Sequence, residues 1–261
     1  MSLSDLSELT GVAGVAGLNV PAHLSVQMKH RLGAMQFDLA FELTRPWTVL
    51  FGPSGSGKST VLRAIAGLVR PEEARIAAGV RRAEEVLTDT SRGEFVAAHL
   101  RPVRWSAQGS MLFPHLNVRE NVEYGVAGVD AAREIVDEVM ERLRLKGFAK
   151  KRSWEISGGE RHRVTMARAI ASTMRGEYLL LLDEPFVGLD LRLRDELLNE
   201  MRAWLEEKKT PVLSVTHDVG EAFQLGAEVI RISDGKVVRQ GSAEVVLAEE
   251  RERLLGQLSQ G

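Results

Sequence analysis

The stretch Gly52-Pro53-Ser54-Gly55-Ser56-Gly57-Lys58-Ser59-Thr60 carries the densest chemistry in the chain. Glycines at this density let backbone N–H groups turn inward on an anion without a Cβ clash. A helix opening directly after the loop adds the partial positive charge of its N-terminus. Lys58 can then bridge the β- and γ-phosphates of a nucleoside triphosphate, and the Ser59 hydroxyl can ligate Mg²⁺. A second chemical signal is Asp183-Glu184, which follows the apolar run Leu179–Leu182. Asp183 suits an outer contact to Mg²⁺. Glu184 suits activation of water, because hydrolysis needs a carboxylate near the γ-phosphate rather than on the metal.

These residues need a scaffold, and the flanking sequence predicts one. Trp47–Phe51 and Tyr178–Leu182 are short continuous apolar runs that read as strands buried on both faces, as in parallel sheets; Pro211–Thr216 is another. Ligands bind at the carboxyl edge of such sheets, where both motifs fall. Helical spacing covers Ser59–Leu68, Glu160–Thr173 and Leu191–Glu207, and also Asp130–Leu145, with Asp130 as its cap. Leu24–Leu43 alternates around Gly33 as a hairpin or meander, and a further strand pair is expected around Ile76 and Val86. Asp234-Gly235 marks another hairpin, and Ala243–Leu258 reads as a charged terminal helix. The fold class is therefore α/β, a mostly parallel sheet with an antiparallel β subdomain and an inserted helical segment.

Composition narrows the function. The 261 residues contain 34 Lys+Arg against 36 Asp+Glu, so no basic field grips nucleic acid. The absence of cysteine excludes disulfide scaffolds, zinc ribbons and thiol nucleophiles. No apolar run reaches the ~20 residues that span a bilayer, and the acidic N-terminus lacks the charged region of a secretory signal.

Between the two motifs lies Ile156-Ser157-Gly158-Gly159-Glu160-Arg161-His162-Arg163-Val164. It resembles the signature sequence of ATP-binding cassette (ABC) ATPases, with Ile156, Glu160 and His162 standing where Leu, Gln and Gln are usual. Gln108 sits where the family's Q-loop glutamine is expected, Gly188-Leu189-Asp190 matches the D-loop, and Thr216-His217-Asp218 matches the switch histidine. The resemblance runs from about residue 24 to residue 240. It implies a RecA-like P-loop fold with an ATP-binding core at 24–108 and 177–240. A helical signature subdomain would occupy 109–176, between an unassigned extension at 1–23 and a C-terminal tail at 241–261.

The resemblance also implies a Mg²⁺-dependent ATPase working as a head-to-tail homodimer. Each ATP would lie between one subunit's phosphate loop and the other's Ser157, Gly158, Gly159 and Glu160, with the D-loop Asp190 nearby. Ser59, Gln108 and Asp183 would serve the metal, Glu184 would act as catalytic base, and His217 would contact the γ-phosphate and orient Glu184. Family members usually stack an aromatic ring on adenine; here Met28–Met35 offers only His30 and Arg31 as planar side chains. His23, His30, His99, His115 and His162 show no ligand spacing and are expected to be surface or hydrogen-bonded histidines.

Met111–Gly125 is similar to the segment of bacterial importer ATPases that receives a membrane subunit. Glu85–Gly93 with Arg101-Pro-Val-Arg104, and Phe113-Pro-His-Leu before Val118-Arg-Glu-Asn-Val, look closest to molybdate-importer ATPases. Expected partners are transmembrane permease subunits and, indirectly, an extracytoplasmic solute-binding protein, with the chain peripheral on the cytoplasmic face of the plasma membrane. Relatives in that group carry a C-terminal regulatory domain that is expected to be missing here, the sequence stopping at Gly261. Sulfate, polyamine and sugar importers, and non-transport ABC ATPases acting on nucleic acid, remain the alternatives.

Overall fold

The computed structural model describes residues 23–79, 84–109 and 111–258. The N-terminal extension lies outside them apart from His23.

Strands β1 (Leu24–Leu32) and β2 (Met35–Leu43) pair antiparallel around a turn in which Gly33 has φ +60°. With β4 (Glu73–Ala78), β5 (Glu85–Asp89) and β6 (Glu94–Phe95) they form a five-stranded antiparallel sheet of order β2-β1-β4-β5-β6. The second sheet has six strands, and β3 (Trp47–Phe51) runs through its middle. The others are β7 (Val103–Ser106), β8 (Leu179–Asp183), β9 (Val212–Thr216), β10 (Glu228–Ser233) and β11 (Lys236–Ser242), in the order β11-β10-β3-β9-β8-β7. All its pairings are parallel except the β10–β11 hairpin.

Helix α1 (Lys58–Ile65) follows the phosphate loop. Helices α2 (Val118–Glu123), α3 (Ala132–Arg142) and α4 (Gly158–Thr173) form the insert between β7 and β8. After β8 come α5 (Leu191–Glu207), α6 (Val219–Gln224), α7 (Ala243–Val246) and α8 (Ala248–Leu258).

Why the apolar strand runs lack alternation is now plain: every residue of β3, β8 and β9 is buried. Leu180 and Leu182 join a core with the insert helices and α5, whereas Leu179 and Leu181 face α1 and the antiparallel sheet. Each such leucine contributes about 1.5–3 kcal/mol of transfer free energy, so both layers are anchored to the strand that carries Asp183.

Arg101 joins the layers by polar contacts. Only 1% exposed, it donates to Ala64 O at 3.0 Å and Ile65 O at 2.9 Å, the end of α1. It also donates to Leu87 O, Thr88 Oγ1 and Val96 O. Gly67, with φ +77°, is required there, because a Cβ would lie 2.5 Å from the Arg101 Nε. Burial lowers the guanidinium pKa to about 10, which still leaves it charged at neutral pH.

Two sequence expectations are corrected, and one strand is added. Asp130 does not cap the insert helix, which begins after Ala131 with no side-chain cap. The terminal helix is broken at Leu247, whose φ of −111° and full burial turn the chain into the core between α7 and α8. Strand β7 was not expected, since four residues behind a proline give too short a run for periodicity to register.

Candidate functional site

The loop after β3 and the end of β8 open on one cleft of about 470 Å³. Ser54, Gly55, Gly57, Lys58, Ser59 and Thr60 line one side, and Gln108, Asp183, Glu184 and His217 line the other. Parallel pairing explains the meeting, because β3 and β8 both flank β9 and end at the same edge.

Gly55 and Gly57 have φ of +82° and +96°, a backbone region open to glycine at little cost. Gly52 is held by crowding instead: a Cβ there would lie 2.2 Å from Ile232 O. The Lys58 ammonium donates to Gly52 O at 2.8 Å and Pro53 O at 2.9 Å, so it is folded back over its own loop. Burial lowers its pKa, opposed by the nearby charges of Glu184 and Asp183.

Asp183 is buried, and its Oδ1 has no hydrogen-bond partner. Desolvation raises its pKa, while bonds from the Ser59 hydroxyl and the Gln108 backbone pull it down. Glu184 sits in left-handed backbone at φ +53°, uncommon for a non-glycine residue and costing about 1–3 kcal/mol. Its N–H donates to Val215 O at 3.0 Å, and its Oε1 lies 2.8 Å from His217 Nδ1. The distorted backbone thereby delivers the carboxylate to the histidine at the end of β9.

Just beyond, Asp218 caps α6 by accepting from Glu221 N and pairs with Arg194 at 2.7 Å. Glu221, unremarked in the sequence, is 5% exposed, and burial pushes its carboxyl up to about 7.

Ser157 and Gly158 do not reach this cleft. They are exposed at the start of α4, where Ser157 and Glu160 form a reciprocal cap: Ser157 N donates to Glu160 Oε2 at 2.6 Å, and Glu160 N to Ser157 Oγ at 3.3 Å. Gly159 packs on the Gly188 carbonyl, and Asp190 is an exposed cap of α5.

His162 is half-buried and hydrogen-bonded with the Glu184 backbone. Its Nε2 is covered and unpartnered, and burial lowers its pKa against the opposing influence of the Glu184 backbone and the Asp183 and Glu184 charges. Leu32 and Met35 also line the cleft, whereas His30 and Arg31 do not. No run of planar residues signals this pair; the signal is the Leu32–Met35 turn packed over the loop.

Among the described residues no group of three or more His, Cys, Asp or Glu stands together as an all-protein metal cage, and no helix is long and apolar enough to cross a membrane.

A family model described as ABC transporter matches residues 38–187. The molybdenum import ATP-binding protein ModC of Rhizobium johnstonii is 38% identical over 227 residues, which are 86% of this chain and 62% of that protein. ModC 1 of Azotobacter vinelandii is 38% identical over 228 residues, 85% of this chain and 61% of that protein. The chain thus spans about three fifths of the length of these relatives.

Among solved structures, cbiO1 from Clostridium perfringens, part of the ABC transporter complex cbiONQ, matches with a TM-score of 0.71 at 22% identity, covering 92% of this chain and 99% of that one. The ATP-binding cassette MJ0796, in a dimeric post-hydrolysis form bound to ADP and Pi, matches with a TM-score of 0.69 at 24% identity, covering 84% and 98%. This likeness fixes the fold as a P-loop cassette.

Proposed function

The chain belongs to the ABC transporter family, and from that premise we propose that it is the Mg²⁺-dependent ATPase subunit of an importer, driven by ATP-dependent closure of a homodimer. The cargo is a small oxyanion such as molybdate, in keeping with the names of the relatives at 38% identity. One observation carries the ATPase reading: Lys58, Ser59, Asp183, Glu184 and His217 converge on a single cleft.

The donor set fits the expected ligands. Phosphates meet the N–H groups of the loop and the start of α1, and Lys58 moves from its loop carbonyls to the β- and γ-oxygens. The unpartnered, buried Asp183 Oδ1 beside the Ser59 hydroxyl suits a divalent cation. Asp183, Ser59 and Gln108 would hold Mg²⁺ with phosphate oxygens, since this ion binds through few protein ligands. When bound, the ion neutralises charge on the β- and γ-phosphates.

Glu184, held by His217, orients the attacking water and accepts its proton. In the closed dimer the Ser157–Glu160 turn of a second copy brings N–H groups to the γ-phosphate, which the lone chain's cleft lacks. Asp190 lies beside that contact.

We take 24–108 and 177–240 as the ATP-binding core and 109–176 as the helical unit that meets the permease subunits. A cleft of about 740 Å³ there is lined by Arg119, Glu123, Tyr124 and Arg133, with Tyr124 exposed. The subunit would sit on the cytoplasmic face of the membrane, touching a solute-binding protein only through the permease and making no use of nucleic acid.

The test is co-purification with the membrane subunits, followed by ATP turnover with candidate solute-loaded receptors. Stimulation by molybdate-loaded receptor supports the reading. Stimulation by DNA or RNA, with no co-purifying membrane subunit, overturns it.

A further inference from the structure

The phosphate cleft has no aromatic side chain in its lining apart from His217, which is paired with Glu184. The lining also includes Leu32, 53% exposed, and half-buried Met35, whose sulfur lies against Gly57 of the loop. Phe37 is nearby, but its ring is buried against Gly57, where a Cβ would lie 2.2 Å from Phe37 Cε1. His30 stacks on Phe37, with centroids 6.3 Å apart, and faces that ring instead of the cleft. Leu32 and Met35 can cover one face of a base with carbon and sulfur. The other face is left to water.

Elsewhere the molecule has one strongly exposed indole. Trp47 and Trp204 are 6% and 2% exposed and hydrogen-bonded through Nε1 to Ser214 and Glu138. Trp105 is half-buried. Trp154 is 68% exposed, three residues before Ser157.

The segment between them is fixed at both ends. Arg152 N donates to Glu155 Oε2 at 2.6 Å, and Ser157 N to Glu160 Oε2 at 2.6 Å, so two caps in succession hold Trp154 and Ser157 on one rigid turn. Three residues of chain reach up to about 10 Å, on the scale of the distance from a γ-phosphate to its base.

We infer that Trp154 of the partner subunit stacks on the base of the nucleotide held in this chain's cleft, closing a sandwich whose other slice is Leu32 and Met35. This rests on the proposed ATP-clasping dimer and adds to it the base subsite. Stacking tolerates any base, because every base has a π face, and neither Leu32 nor Met35 bears a hydrogen-bonding group that selects among them. Base contact is therefore made on closure, while the open monomer grips mainly phosphate.

The experiment uses the full chain carrying Glu184→Gln, with dimerisation followed by sedimentation velocity across an ATP titration. Trp154→Ala in that background raises the ATP concentration at half-dimerisation about tenfold, and Trp154→Tyr restores it to within about threefold. Tryptophan emission of the parent changes as the dimer forms, and this change is lost in Trp154→Ala. A parent that stays monomeric in ATP removes the dimer reading and this inference together. A parent that dimerises, with Trp154→Ala dimerising at the same ATP concentration or Trp154→Tyr no better than Trp154→Ala, removes the inference alone. Thermal melts confirm that the variants are folded, which the exposure of Trp154 makes the expected result.

Discussion

Two glycine-rich helix openings in this molecule are built in opposite ways. Helix α1 starts from Gly57 in left-handed backbone, with no side-chain cap and no acidic residue in its first turn. Helix α4 starts from Ser157 with a complete capping box, and Glu160 lies in its first turn. An uncapped N-terminus leaves N–H donors for an outside anion, whereas a capped one spends some of them on its own side chains. The first opening faces the orphaned Asp183 Oδ1. The second is self-sufficient and exposed. One opening leaves its helix N-terminus uncapped, and the other caps itself in an exposed position.

The strongest way to break this contrast is at Glu184, the proposed water-activating group. Glu184→Gln should lower ATP turnover by about 10³-fold while ATP binding, read by a fluorescent analogue, persists. Turnover at the parental rate would remove Glu184 from the chemistry.

Next in size is a pH effect confined to the cleft side. Glu221 has its carboxyl pKa raised to about 7 from 4.5 by burial. Between those values the native state holds a proton that the unfolded chain has lost, so this group's contribution to stability is full below about pH 4.5 and declines until about pH 7. The total is about 3 kcal/mol. Glu221→Gln should therefore melt close to the parent at pH 5 and above it at pH 8. Equal gaps at both pH values would show that Glu221 does not titrate in this range.

At the second opening, Ser157→Arg should cut turnover about 10²-fold and leave ATP affinity of the monomer within about twofold, because the serine lies outside its own subunit's cleft. A large loss of monomer affinity would erase the distinction between the two openings. The smallest effect is expected from Ser157→Gly, which keeps a tolerated cap residue and should cost only a few tenths of a kcal/mol of stability in denaturant titration, against about 1 kcal/mol for Ser157→Ala.

The cleft side was the more legible in sequence. Phosphate chemistry needs glycine, lysine and a hydroxyl at fixed spacing, and two-faced burial of β8 needs an unbroken apolar run, so Gly52–Thr60 and Leu179–Glu184 announce themselves. The β1–β2 hairpin is equally readable, since one face of each strand is buried and the other is wet.

What escaped the sequence depends on tertiary placement. Leu247 breaks a helical pattern because it is drawn into the core, with neither glycine nor proline to mark the stop. Asp130 looks like a cap and is bypassed. Glu221 is buried and His162 half-buried because α6 and α4 pack against the β9 and β8 ends. Leu32 and Met35 line the cleft because the turn between β1 and β2 lies against the phosphate loop.

Arg101 has a consequence for the helix it pins. Carbonyls of Ala64 and Ile65, which water would ordinarily solvate, face a guanidinium sealed from solvent. With phosphate at its other end, α1 becomes a short rod of aligned peptide dipoles held between a negative and a positive charge. The same guanidinium is wired to Leu87 and Thr88, so the antiparallel sheet shares an electrical terminal with the helix that follows the phosphate loop.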